Sequence, residues 1–220
     1  GKWLYRVVVP LTLWPALAQA DDFYAVRPAD IECVVQAAQR QGVPANVLLA
    51  ISSKESGKNG QSVSNSNGTF DLGHFQINTT HWGPKGVFAS YPAITKSDVA
   101  WRGCYNAELA AWLLRQKLDE RNGQDFWTRA ANYHSRTKKF NDIYKKGLIP
   151  LAVKWGKYLE QQRHAQCQQH RDGARLVALE PQLGQGQKEK DDGDQGDERG
   201  EPDVPGRVVV LLPEGLHNGQ

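Results

Sequence analysis

The sequence predicts a mainly α-helical domain with little or no β structure, followed by a disordered C-terminal tail. Three observations predict it. From Ile31 to about His170 the apolar residues recur three and four positions apart, the period of a helix buried on one face. Gly, Pro, Asn and Asp punctuate those stripes at positions suited to helix ends. Beyond Gln182 the chain turns to Gly, Gln and charge with almost no large apolar residue. Such a segment cannot bury enough surface to offset chain entropy.

The elements follow in order. Arg27-Pro28-Ala29-Asp30 leads into a first helix with Ile31, Val34, Val35 and Ala38 on one face, ending near Gly42. Pro44 suits a first helical position, and the next helix carries Val47, Leu48, Ile51 and Glu55. It stops at Gly57, read as the left-handed glycine just past a helix end. Residues 57–69 read as loop, and what little strand there is falls within 69–77. Asn106 is placed to cap a long helix over 107–119, with Leu109, Ala110, Leu113, Leu114 and Leu118 inward. Gly123-Gln124-Asp125 starts a short helix over 126–133. A last helical region, 137–170, is interrupted at Gly147 and Pro150.

Both ends read as appendages. Residues 1–20 have the make-up of a secretory signal: basic Lys2 and Arg6, a short apolar run over 7–17, and the small-residue site Ala18-Gln19-Ala20. Pro10, Pro15 and the shortness of the run argue against a spanning helix, which needs about 20 apolar residues. We therefore expect export to a Gram-negative periplasm, with no integral membrane span after cleavage. The expected division is a signal over 1–20, one folded domain over 21–180 and a low-complexity tail over 181–220. Residues 21–183 hold 21 bases and 15 acids, whereas residues 184–205 hold three bases and eight acids. A basic body suits an anionic polymer. The basic residues are scattered and no nucleic-acid recognition motif is visible, so nucleic acid is not an expected partner.

Three cysteines are present. In an oxidising compartment two should pair. Cys33 and Cys104 lie inside the helical body, and Cys167 sits in a polar stretch beside the tail, so a Cys33–Cys104 disulfide is expected. The spacings match no zinc motif, and neither metal nor cofactor is expected.

The chemistry concentrates in residues 51–78, ISSKESGKNGQSVSNSNGTFDLGHFQIN. Leu48, Ile51 and Glu55 share one helix face. A carboxyl there is partly desolvated and lies at the negative end of the helix dipole, and both effects raise its pKa. A carboxyl still protonated near neutral pH can act as a general acid. Taken alone, Glu55 reads more readily as a surface residue pairing with Lys54 or Lys58 than as a catalytic acid.

Its surroundings carry a resemblance. Glu55-Ser56, Ser64-Asn65, the run Gly73-His74-Phe75-Gln76-Ile77-Asn78, and Asn132-Tyr133-His134-Ser135 resemble the successive motifs of the soluble lytic transglycosylase family. Ile31-Glu32-Cys33, Cys104-Tyr105-Asn106 and Ala110-Ala111-Trp112-Leu113-Leu114 are similar to the conjugal-transfer and secretion-associated subgroup. The resemblance covers about 30–135. It implies a lysozyme-like, goose-type helical fold, and peptidoglycan glycan strands as substrate. It makes Glu55 the catalytic acid/base, with Ser56 supporting the turn. Ser64, Gln76, Asn78, Tyr133 and His134 become substrate-binding candidates, with Gln76 bonding the N-acetyl sugar or assisting Glu55 and Tyr133 orienting the carboxyl. His74-Phe75 stand where the family often has Leu-Met, and His134 where Asn is common.

The same resemblance implies a one-acid reaction. Glu55 protonates the oxygen between MurNAc and GlcNAc, then as a base takes the proton of the MurNAc 6-hydroxyl, which closes into a 1,6-anhydro ring. Asp71, the acid nearest in sequence, reads instead as an Asx turn. Of the many tryptophans, Trp112 and Trp155 read as packing and Trp82 as a groove candidate. The implied role is local opening of the wall for a conjugation or type IV secretion apparatus, whose proteins are the implied partners. A hydrolytic lysozyme and a non-catalytic wall-binding assembly factor are the alternatives.

Overall fold

The computed structural model describes residues 24–179, with side chains over 24–171. The signal expected at 1–20 and the disordered tail expected at 181–220 lie outside the described residues. The elements run α1 (Ile31–Gln41), α2 (Ala45–Glu55), β1 (Ser62–Ser64), β2 (Phe70–Leu72), β3 (Ile77–Asn78), a 3-10 turn (Thr79–Trp82), α3 (Lys96–Trp101), α4 (Gly103–Leu118), α5 (Phe126–Ala131) and α6 (Lys138–Leu179). The protein is mainly helical with one small sheet, as expected. No helix among the described residues is long and apolar enough to cross a membrane. Two compact units are present: the chain up to Ala37 with Glu55–Leu113, and Ala38–Lys54 with the chain from Leu114.

In the first unit, Asp30 starts α1 by accepting the Cys33 N–H at 2.8 Å and pairing with Arg27 at 2.8 Å. Burial pushes its carboxyl up, but the Cys33 N–H and the Arg27 guanidinium outweigh that and hold it below the ordinary aspartate value. The expected disulfide is present: Cys33 and Cys104, both buried, join α1 to α4 with their Cα atoms 5.5 Å apart. The sheet is antiparallel in the order β1-β2-β3, with Ser64 opposite Phe70, Val63 opposite Asp71, and Asp71 opposite Asn78. Strand β1 lies in the segment expected to be loop. Its three residues are all exposed, so no alternation marks them; pairing with β2 makes the strand. Helix α3 was not expected either. It is one short turn and a half set by a local cap, Thr95 accepting the Asp98 N–H at 3.1 Å. Phe75, Phe88, Ile77, Val34 and Val99 form the core, with Phe88 stacked on Trp112 and edge-on to Trp82.

In the second unit, every residue of α2 from Ala45 to Ile51 is buried. Two polar side chains fasten the helix to α6: Asn46 Nδ2 donates to Ala152 O at 3.1 Å, and Trp155 Nε1 donates to Ser53 Oγ at 2.9 Å. Asp125 caps α5 by accepting from Thr128 N and Thr128 Oγ1 at 2.9 and 2.6 Å, and those two bonds hold its carboxyl below the usual aspartate value. Helix α6 corrects an expectation, because it runs unbroken through Gly147 and Pro150. Pro150 is exposed, so the carbonyl it leaves unbonded one turn back can reach water, while Leu148 and Ala152 on either side are fully buried. Packing of those flanks outweighs the lost bond.

Candidate active site

Glu55 is the last residue of α2 and is half-buried. The helix does not end as the sequence suggested. Ser56, not Gly57, takes the left-handed conformation, at φ 53°. Gly57 is glycine for a different reason. A Cβ there would fall onto Gly73 O and lie 2.7 Å from both His74 O and Gln76 Nε2. The backbone leaving Glu55 therefore presses directly on the loop over 73–76, a contact only a residue without a side chain permits. Glu55 and Gln76 are thus mounted on touching stretches of chain.

That loop is held from behind by Asn106, which the sequence offered as a helix cap. Helix α4 starts earlier, at Gly103, and Asn106 lies inside it, fully buried. Its Nδ2 donates to Leu72 O at 3.1 Å and to Val99 O at 2.9 Å, and its Oδ1 accepts the Phe75 N–H at 2.7 Å. All the amide's bonding capacity on these atoms is directed at the loop and its neighbours. Gln76 has φ 51° and donates from Nε2 to Gly73 O at 2.8 Å. No donor reaches its side-chain oxygen among the described residues. Ser56 and Gln76 are the two non-glycine residues with positive φ among the described ones, and they flank the same contact. Strained backbone of this kind gathers at functional sites. His74, between them, is half-buried, and burial lowers its pKa.

The hairpin places three further residues. Ser64 is exposed at the end of β1, across from the exposed Phe70. Asp71 accepts from Asn65 Nδ2 at 3.0 Å on one oxygen and from Asn78 Nδ2 at 2.7 Å on the other. It shapes the hairpin as the sequence suggested, but as a strand residue bridging two asparagines rather than through an Asx turn. Asn78 is committed on both sides of its amide: Nδ2 also donates to Thr69 Oγ1 at 3.1 Å, and Oδ1 caps the 3-10 turn by accepting Thr80 N–H at 2.9 Å. A sugar could reach Asn78 through the second lone pair of Oδ1 or by displacing one of these bonds.

Tyr133 and His134 belong to the second unit. They occupy the turn after α5, where Tyr133 N–H donates to Ala130 O and His134 N–H to Ala131 O, both at 3.1 Å. Tyr133 is half-buried; His134 is exposed and lies parallel to Tyr144 with ring centroids 4.7 Å apart. The turn is clamped by buried Asn141, whose Nδ2 donates to Thr128 O, Asn132 Oδ1 and Ser135 O at 2.9–3.0 Å.

The sequence reading missed Asn106 and Gly57 as supports of the Glu55 and Gln76 segments, and Asn141 as the clamp of the turn at Tyr133. For Asn106 a signal existed: an amide on the same stripe as Leu109, Ala110 and Leu113 must find buried partners. Gly57 gave none, since a helix-ending glycine and a close-approach glycine look alike. The grouping of Asp30, Cys33 and Cys104 has metal-like spacing, but both sulfurs are in the disulfide. The family model for the transglycosylase SLT domain matches residues 32–146. No curated protein matches the chain.

Proposed function

Because the chain belongs to the transglycosylase SLT domain family, whose members are lytic transglycosylases acting on peptidoglycan, we propose that Glu55 is its single catalytic acid/base. The observation that carries this reading is the Gly57 contact, which fixes the backbone leaving half-buried Glu55 against the strained Gln76 loop. Asp71, with both carboxylate oxygens already accepting amide bonds, is a poor nucleophile. That favours a route with one acid over the two-carboxylate scheme.

In the proposed reaction Glu55 gives its proton to the glycosidic oxygen between MurNAc and GlcNAc as that bond breaks. Positive charge develops at the anomeric carbon, and the substrate's own acetamido group is suited to stabilise it. The carboxylate left behind then removes the proton of the MurNAc 6-hydroxyl. That oxygen closes on the anomeric carbon and gives the 1,6-anhydro end, so no water enters the product. Gln76, with Nε2 engaged at Gly73 O, offers its side-chain oxygen to the N-acetyl N–H. Ser64 offers a hydroxyl from the hairpin edge, and Tyr133 and His134 are substrate contacts on the family pattern.

The setting belongs to the same proposal. The signal-like residues 1–20 and the Cys33–Cys104 disulfide fit an oxidising periplasm. The similarity of the Cys33 and Cys104 motifs to conjugation-associated enzymes supports local wall opening for a transfer or secretion apparatus.

Digestion of purified sacculi tests the chemistry. The wild-type protein should release muropeptides with anhydro ends, and Glu55→Gln should release none. Reducing ends from the wild type would make it a hydrolase. Normal cleavage by Glu55→Gln would remove Glu55 from the mechanism.

A further inference from the structure

We propose that Trp101 is a sugar-stacking platform that holds a glycan strand beside the Glu55 loop. The sequence pointed to Trp82, but Trp82 is packed: its indole N–H donates to Ile94 O at 2.6 Å and its ring meets Phe88 edge-on. Trp112 stacks on Phe88, Trp127 meets Phe126, and Trp155 donates to Ser53. Trp101 is more exposed than all four. It is 52% exposed, and its indole N–H meets no protein acceptor among the described residues.

Its placement is built. Trp101 ends α3, and its six-membered ring lies against Gly60, where a Cβ would come within 2.5–2.7 Å of three ring carbons. Gly60 also has φ +75°, so two independent constraints keep that position glycine. One residue earlier, Ala100 O accepts the Gly60 N–H at 2.6 Å and pins the loop to the helix. This is the loop that leaves Glu55. Gly60 lies five positions after Glu55, at most about 18 Å of chain away. Glycine thus supports one side of the indole, while about half of the residue's surface stays exposed.

The occupant follows from the chemistry. A flat, rigid ring presents a negative face, and the C–H-lined face of a pyranose is its complement. The free indole N–H can donate to a sugar hydroxyl or acetamido oxygen. The inference rests on the reading of the substrate as a peptidoglycan strand, but its test need not depend on cleavage.

Binding of soluble peptidoglycan glycan strands is measured by calorimetry in the cleavage-silent Glu55→Gln protein, alone and combined with Trp101→Leu or Trp101→Phe. Leucine keeps an apolar cover on Gly60 without a flat face; phenylalanine restores the face. Trp101→Leu should raise Kd about tenfold and Trp101→Phe should return it to within about threefold of the parent. In the cleaving enzyme the same change should appear in KM with kcat nearly constant. An unchanged Kd for Trp101→Leu overturns the proposal, as does a phenylalanine variant no better than leucine. Wild-type protein that binds strands through Trp101 yet yields no anhydro ends would instead refute the catalytic reading.

Discussion

At Gly57 a single missing methyl group sets the geometry of the site. Gly57→Ala must push a Cβ into Gly73 O, and backbone cannot yield as a flexible side chain can. We expect at least a tenfold loss of activity, read as kcat on soluble strands, because small misplacements of catalytic groups cost that much. The change in melting temperature should be too small to account for it. Asn106 makes the complementary case. Asn106→Leu would leave the Phe75 N–H and two carbonyls unsatisfied in the core. It should destabilise the protein by about 3 kcal/mol, measured by urea denaturation. His74 carries a pH signature. Burial depresses its pKa below the ordinary 6.5, so the unfolded chain binds a proton that the folded protein resists. Its contribution is intact above about pH 6.5 and declines as pH falls toward the folded value. Melting temperature should therefore drop between pH 7 and pH 5, and drop less in His74→Gln.

Elements differ in how openly the sequence announces them. Helices α1, α2 and α4 were legible because three or more turns repeat one apolar stripe. The six residues of α3 and the three of β1 hold too few repeats to show a period. They exist because of Thr95 at one end and a paired neighbour at the other. Glu55, Gln76 and Ser64 were readable as candidates from residue type and order. The Gly57 contact that brings the two chain segments together was not, since it is made by backbone. Helix α6 shows the opposite error, in which a local rule was given too much weight at Pro150. Pro150→Ala should restore a main-chain bond on an exposed face and raise stability by about 1–3 kcal/mol. Thermal melting decides the matter, and a lower melting point would show that the proline is required where it stands.

For the molecule as a whole, the Cys33–Cys104 link is a long-range covalent constraint, with its ends 71 positions apart in the sequence. Restricting an unfolded loop of that length stabilises the fold by about 4 kcal/mol on the chain-entropy model. Paired Cys33→Ala and Cys104→Ala substitutions should therefore lower the melting temperature by about 8–16 °C, at about 2–4 °C per kcal/mol for a domain of this size, while Glu55 chemistry persists below the new transition. The exposed Cys167 lies far along α6 and takes no part.

Ser56 and Gln76 hold their uncommon backbone angles on either side of a junction with no slack. Divergence among enzymes built this way is therefore channelled into side chains: exposed ones such as Trp101 or Ser64, and even His74 and Phe75, can be exchanged, whereas Gly57 and the turns at Ser56 and Gln76 must keep their backbone path.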